Sequence, residues 1–243
     1  MIKQQIQSIA DFLGYEIHKK DRQPTLPRIT MGGALAWLKD NGFQVRTVLD
    51  VGASDGRWSR SCMAYLPEAS YVLYEPQPVH GDPLDSFASE YPGRVIPVKK
   101  AVGPAEGELL FDVSDPFGGG PASEDSPDVL KVEQTTIDIS LSDAEVNGPF
   151  LLKLDTHGYE KSILSGAEET LRNCQILIIE AYNYRITDEA MLFWELCSRL
   201  SEEGFRVIDL IDVMHRAYDQ SLWQMDLVFI RDDWQGFNYV SYS

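Results

Sequence analysis

Two short stretches near the start of the chain have the residue types of a nucleoside-binding site. The apolar run Thr47–Val51 ends in Gly52-Ala53-Ser54-Asp55-Gly56, so a buried strand should turn tightly into a helix. Glycines leave room where a ligand passes close to backbone. A second apolar run stops at Glu75, about twenty residues beyond Gly56, where an acidic residue can hydrogen-bond a ribose. Together they predict a nucleoside-binding βαβ unit, although a glycine turn without the full G-x-G-x-x-G also fits plain strand-to-helix geometry.

Apolar runs and breakers along the chain predict the elements that position these residues. Strands are predicted at 47–51, 72–75, 94–98, 108–113, 150–155, 176–180, 205–211 and 222–230. Helices are predicted at about 1–15, 30–41, 57–66, 83–91 and 188–203, with another after Asp155 that carries Ile163 and Leu171 on one face. A polar segment joins the last two strands, which therefore form an antiparallel pair.

The repeated strand–helix pattern predicts an α/β domain with a mainly parallel sheet covered on both faces. Ligands of such sheets bind beyond the carboxyl ends of the strands. The site should therefore combine residues 50–56, Glu75, Lys100 with Ala101, residues 155–158 and residues 180–183.

Two segments outside this pattern have open interpretations. The amphipathic helix expected over the first fifteen residues could pack on the domain, cover a site or pair across a homodimer. Residues 114–128 are rich in glycine and proline, and so long a loop is either functional or disordered. It is interpreted either as a substrate lid or as a passive insertion.

Composition narrows the class of protein. The 243 residues carry a formal net charge of −17, which argues against a nucleic-acid partner because such binding depends on Lys and Arg. No apolar run approaches the roughly 20 residues of a membrane span, and the first residues do not resemble a secretory signal. Three cysteines without C-x-x-C spacing fit free thiols in a reducing cytoplasm.

Several separated motifs resemble one known family. They are residues 50–56, Glu75-Pro76, residues 153–160, residues 163–167 and the strand ending at Glu180. In this order they resemble the FkbM family of S-adenosylmethionine (SAM)-dependent methyltransferases, over roughly residues 45–231. The resemblance implies the seven-stranded Rossmann-like class I methyltransferase fold, with strand order 3-2-1-4-5-7-6 and the last strand antiparallel. Residues 1–44 are then an N-terminal helical extension and residues 45–243 the methyltransferase domain.

The resemblance also implies an activity and a cofactor site. The expected reaction is O-methylation of a hydroxyl on a small molecule, sugar, natural product, or glycan- or lipid-linked acceptor. Glu75 would bind the ribose hydroxyls, and Lys100 and Ala101 would lie near the adenine. Asp155 would border the donor methyl group. The residues expected along the methionine end and the turn are Asp50, Gly52, Ser54 and Gly56. Many family members carry an acidic residue or Gln where this chain has His157, so no single role transfers to that position.

An acceptor hydroxyl needs a base to remove its proton, and two histidines are candidates. His157 follows Asp155 on the ligand-binding edge, although it could instead shape the turn. His215, between the last two strands, could reach the site from the other side or be a solvated connector.

Oxygen ligands at neighbouring strand ends suggest a cation site. Asp155, Glu180 and Asn183 could hold Mg²⁺, which would lower the pKa of an acceptor hydroxyl. The same side chains could instead cap helices or bind backbone amides.

Two other function classes remain open. A non-catalytic domain that binds the cofactor or a partner would share the nucleoside site. An NAD-dependent oxidoreductase would use Glu75 on a dinucleotide ribose, but Gly52-Ala53-Ser54 lacks the second glycine that admits a pyrophosphate.

Overall fold

The structure is a computed structural model that describes residues 27–123, 125–126, 128–144 and 146–242. Helices are α1 Met31–Asp40, α2 Arg57–Cys62, α3 Gly81–Glu90, α4 Ile137–Asp143, α5 Glu160–Ser165, α6 Glu168–Arg172 and α7 Phe193–Glu202. Strands are β1 Thr47–Val51, β2 Ser70–Tyr74, β3 Val95–Val98, β4 Ala101–Val102, β5 Gly107–Asp112, β6 Val129–Thr135, β7 Phe150–Leu154, β8 Cys174–Tyr182, β9 Phe205–His215 and β10 Leu222–Arg231. Short 3₁₀ turns are Pro78–His80 and Gln235–Asn238.

The main sheet has seven strands in the order β3-β2-β1-β7-β8-β10-β9. Strand β10 runs antiparallel to both of its neighbours, and the other pairs are parallel. This is the 3-2-1-4-5-7-6 order with an antiparallel last strand, so the predicted α/β class I methyltransferase fold is confirmed.

Apolar strands place one core on each face of this sheet. Leu49, Val72 and Leu152 belong to one buried cluster, whereas Val48 and Leu151 belong to the other. Strands β1 and β7 are buried at every position because helices cover both faces, as expected for a parallel sheet. Residues on both faces of these strands are therefore mostly apolar, and each strand appears in the sequence as a nearly continuous apolar run.

A second sheet, with strand order β4-β6-β5, was absent from the sequence prediction. Strand β6 and helix α4 had no predicted counterpart. The sequence of β6 is VLKVEQT, and its burial alternates irregularly because one face is mostly exposed. Such a strand lacks the continuous apolar run by which the central strands were recognised.

Other predicted boundaries were wrong in informative ways. Helix α2 ends at Cys62 rather than near residue 66, and α7 begins at Phe193 rather than near residue 188. The helix predicted after Asp155 is two helices, α5 and α6, which break at Gly166. A Cβ at Gly166 would lie 2.2 Å from the Gly103 carbonyl oxygen, so the chain passes close to another backbone segment there.

The predicted N-terminal extension is described from residue 27 onward, and the helix expected over the first fifteen residues lies outside the described residues. Helix α1 packs Ala34, Leu35 and Leu38 into the same buried cluster as Val48. The boundary between residues 44 and 45 stays a prediction. Among the helices of the described ranges, none combines the length and apolar character needed to cross a bilayer.

Candidate active site

The turn after β1 is fixed by close backbone packing. Gly52 has a φ of 77°, and a Cβ there would lie 2.1 Å from the carbonyl oxygen of Asp155. Gly56 has a φ of 80°, and its Cβ would lie 2.8 Å from the ring of Phe87. The glycines were predicted to make room for a ligand, but they make room for β7 and α3. Ser54 adopts a φ of 50° without being glycine, a strained conformation of the kind found at functional sites.

Glu75 lies at the end of β2 and is held by two backbone amides. Its Oε2 accepts a hydrogen bond from Ser54 N at 2.9 Å, and its Oε1 accepts one from Gln77 N at 2.9 Å. Burial raises the pKa of this carboxyl, although the hydrogen bonds from the two amides act in the opposite direction. Each carboxylate oxygen keeps capacity for a further donor, such as a ribose hydroxyl.

A cavity of about 560 Å³ opens at the carboxyl ends of the strands. The predicted residues that line it are Gly52, Ser54, Glu75, Lys100, Ala101, Asp155 and His157. The predicted residues outside its wall are Asp50, Gly56, Glu180, Asn183 and His215. Lys100 forms an ion pair with Glu133 at 2.7 Å. The structure therefore brings most of the predicted cofactor residues together around one space.

Lys153 of β7 connects β7 with the neighbouring strand β1 beside this cavity. Its ammonium lies 3.0 Å from Asp155 Oδ2 and 3.3 Å from Asp50 Oδ1. Burial opposes the charge of Lys153, but the two carboxylates outweigh it and raise its pKa. Lys153 was given no role from the sequence, although a lysine inside the run Phe150–Leu154 is itself an unusual feature.

Asp50 is a buried structural residue in this network. It is fully buried and accepts a hydrogen bond from Ser59 Oγ at 2.7 Å. Burial raises the pKa of Asp50, although Lys153 and Ser59 act in the opposite direction. Asp50 therefore supports Lys153, and its expected contact with the methionine end of a cofactor stays a prediction.

His157 is held by groups on both sides of its ring. Its Nδ1 lies 3.0 Å from the Tyr182 hydroxyl and 3.2 Å from Glu180 Oε2, and its Nε2 lies 3.0 Å from the Phe117 carbonyl oxygen. Tyr182 in turn donates to Glu180. Glu180 raises the pKa of His157 to about 9, although partial burial opposes this. His157 also has a positive φ of 51°.

His215 does not reach the cavity. It is the last residue of β9, pairs with Leu222 and is exposed. The polar connector predicted around it is shorter than expected, because β9 continues through this histidine. The prediction of a base at His215 is not supported by this position.

A family model described as "Methyltransferase FkbM domain" matches residues 50–207. The chain belongs to the FkbM methyltransferase family. This FkbM chain is 24% identical over 163 residues to the hexuronic acid methyltransferase AglP of Haloferax volcanii, a match that covers 64% of this chain and 67% of AglP.

Solved structures with similar folds have low identity to the FkbM chain. The magnesium protoporphyrin IX methyltransferase ChlM of Synechocystis PCC 6803 with bound SAM is 13% identical at a TM-score of 0.46, and the match covers 82% of this chain and 76% of ChlM. The fibrillarin pre-rRNA processing protein of Methanococcus jannaschii is 13% identical at a TM-score of 0.46, covering 85% of this chain and 76% of that protein.

The structure groups a different set of residues at the predicted cation site of the FkbM chain. Ligand atoms of Asp155, His157 and Glu180 lie within 4.8 Å of one another. Asn183 instead donates from Nδ2 to the Leu222 carbonyl oxygen at 3.2 Å, so it serves the strand pairing. His157 joins Asp155 and Glu180 in the candidate set, and Asn183 as a ligand stays a prediction.

Asp226 is a further acidic residue beside this group, and it was given no role from the sequence. Burial raises its pKa to about 7, and the neighbouring charges of Asp155 and Glu180 act in the same direction. It lies on β10, beyond the residues that match the FkbM domain. No sequence pattern distinguished it from other alternating polar residues.

Proposed function

We propose that this methyltransferase uses SAM as its methyl donor and O-methylates a sugar or related small molecule. The observation that carries the proposal is that the Glu75 carboxylate and the His157 imidazole lie in the wall of one cavity. The first suits a ribose, and the second suits removal of a proton from a hydroxyl.

The residues around the cavity fit SAM. Ala101, Val102 and Phe111 form an apolar part of the wall against which an adenine could pack. Burial acts to raise the pKa of Asp155, but Lys153 outweighs it and holds this pKa below its usual range. The indole N–H of Trp58, in the same wall, is buried without an acceptor among the described residues, so a ligand oxygen could satisfy it. SAM, when bound, supplies a methyl group on a positively charged sulfonium.

His157 is our candidate base, positioned by Glu180. We take Nε2 as the basic nitrogen, because Nδ1 is held by the side chains of Glu180 and Tyr182, whereas Nε2 lies beside the backbone of Phe117, which lines the cavity. A base whose other nitrogen is fixed by a carboxylate is the arrangement expected for general-base catalysis. The acceptor proton would pass to Nε2, and Glu180 would stabilise the resulting imidazolium.

The acceptor class is inferred from the relative and from charge. AglP is named for hexuronic acid, a sugar with both hydroxyl and carboxylate oxygens. The net charge of −17 disfavours a nucleic-acid acceptor. A methyl ester formed on the carboxylate is hydrolysed by mild alkali, whereas a methyl ether is stable, so alkali treatment of the product distinguishes the two.

Calorimetric titration of SAM tests the cofactor assignment. Glu75→Gln should weaken SAM binding about 10- to 100-fold, because a charged acceptor for the ribose is lost. Glu68→Gln changes an exposed glutamate and should leave the affinity unchanged. Equal affinity for Glu75→Gln and wild type would contradict the ribose assignment.

The same protein tests the alternative classes. Binding of NAD in place of SAM would indicate an oxidoreductase, and SAM binding without methyl transfer to hexuronic acids, hexoses or their glycosides would indicate a binding domain. Loss of turnover in EDTA, restored by one divalent cation, would support a cation at Asp155, His157 and Glu180. Unchanged turnover would leave His157 as a base acting without one.

A further inference from the structure

Residues 115–121 cross one side of the cavity, and their backbone carbonyls are held by side chains from two other segments. Gln77 Nε2 donates to the carbonyl oxygens of Asp115 and Pro116, each at 3.2 Å. His80 Nε2 lies 2.7 Å from the same Pro116 oxygen. The next carbonyl, that of Phe117, lies 3.0 Å from His157 Nε2. Three side chains therefore form hydrogen bonds with three consecutive backbone carbonyl oxygens.

Hydrogen-bond accounting fixes the protons on His157. The Tyr182 hydroxyl gives its single proton to Glu180, so toward His157 Nδ1 the Tyr182 oxygen is an acceptor. A carbonyl oxygen is also only an acceptor, so Nε2 must carry a proton to bond Phe117. Both nitrogens of His157 thus donate to protein oxygens. The nitrogen that a base would use is already occupied.

The side chain of Phe117 adds little hold on the segment. Its ring is 56% exposed, lies 4.7 Å from the Arg57 guanidinium, and is 5.6 Å from the ring of His80. Residues 115–117 are therefore held mainly by the carbonyl hydrogen bonds, whereas the far end of the segment is tied to β5 by the Asp112 N–H that donates to Gly120 O at 2.8 Å and by the pairing of Pro121 with Phe111. Three glycines, Gly118 to Gly120, follow directly and allow wide backbone rearrangement.

We propose that the acceptor hydroxyl binds at the position now occupied by the Phe117 carbonyl oxygen, and that residues 115–119 move away from His157 to admit it. The proposal rests on the proposed function in one respect, namely that Nε2 of His157 is the base. The segment is then a gate that covers Nε2 of His157 while no acceptor is bound. On opening, Nε2 gives its proton to solvent, and the unprotonated nitrogen then accepts the hydrogen bond of the acceptor hydroxyl and, as the methyl group is transferred, its proton.

Chymotrypsin cleavage after Phe117 tests the restraint without cofactor or acceptor. Cleavage at 117–118 requires local opening, so its rate reports the open population. His157→Ala should raise this rate about tenfold, because a charge-assisted hydrogen bond is lost. His157→Gln retains a donor and should stay closer to wild type, and His215→Ala should match wild type.

Gln77→Ala tests the same restraint from the opposite side, and circular dichroism shows whether each variant is folded. If His157→Ala fails to fold, Gln77→Ala alone decides, with about fivefold faster cleavage expected from the loss of a neutral hydrogen-bond donor. Wild-type cleavage rates in every folded variant would overturn the gate.

Acceptor kinetics test the position of the hydroxyl. At saturating SAM, Gln77→Ala should lower KM for the methylated acceptor severalfold with kcat changed less than about twofold, because opening becomes easier. Faster cleavage with an unchanged KM would show that the segment opens but does not lie in the acceptor's place, which overturns the proposal. If no hydroxylated acceptor is methylated, the proposed function and the acceptor's place fall together, whereas the cleavage result still stands for the segment itself.

Discussion

At the residue scale, the site depends on ionisable groups whose neighbours set their charge. Glu180 and Tyr182 on β8 and Asp155 after β7 face the imidazole of His157, and the charges of Asp155 and Glu180 also act on Asp226 of β10. Glu180 favours the protonated ring, whereas burial, together with the neighbouring carboxylates, disfavours ionised Asp226. The same cluster therefore stabilises one charge and destabilises another.

The pKa of His157 predicts how stability depends on pH. Its pKa is raised from 6.5 to about 9, with Glu180 the main cause, so the stabilisation is complete below pH 6.5 and is lost as pH rises through 9. The loss should be at most about 3 kcal/mol. Urea unfolding of wild type and His157→Gln from pH 6 to 10 measures it. Parallel pH profiles for the two proteins would contradict this assignment.

Asp226 predicts the opposite effect of substitution. Its pKa is raised from 3.8 to about 7, chiefly by burial, so the native state loses stability as pH rises from about 4 to 7. Asp226→Asn should stabilise the protein at pH 8 by up to about 4 kcal/mol and have little effect at pH 4. Thermal unfolding at both pH values provides the measurement, with the exposed Asp233→Asn as control. If the Tm of Asp226→Asn at pH 8 does not exceed that of wild type, the predicted cost of burying ionised Asp226 is wrong.

At the element scale, the turn after β1 and the end of β7 are built against each other. A Cβ at Gly52 would lie 2.1 Å from the Asp155 carbonyl oxygen, whereas Gly42, with the same φ of 77°, has no atom within 4 Å of its Cβ position. Gly42→Ala should cost about 1 kcal/mol from backbone conformation alone. Gly52→Ala should cost about 2 kcal/mol more and should also weaken SAM binding. Equal unfolding free energies for the two variants would show that this contact relaxes freely.

The same scale shows how far sequence reasoning reaches. The central strands were predicted because burial on both faces leaves an unbroken apolar run, as in Phe150–Leu154. Strand β6 was missed because charged and polar residues interrupt it. Glu75 and His157 were identifiable from their places at strand ends, whereas the roles of Lys153 and Asp226 depend on contacts between strands that are distant in sequence. The hydrogen bonds to the carbonyl oxygens of residues 115–117 could not be predicted, because every residue has a backbone carbonyl and the sequence does not show which of them is bound.

At the scale of the whole molecule, the net charge of −17 should influence the approach of the cofactor. SAM carries a net charge of +1, from its sulfonium, ammonium and carboxylate groups, whereas the demethylated product is neutral overall. A negative protein attracts the first over distances that salt screens. Stopped-flow association rates for SAM should therefore fall severalfold between about 0.05 and 0.5 M NaCl. Rates for S-adenosylhomocysteine should change much less. Equal salt dependence of the two rates would mean that the overall field does not steer binding, leaving Asp155 and its neighbours to act only at contact distance.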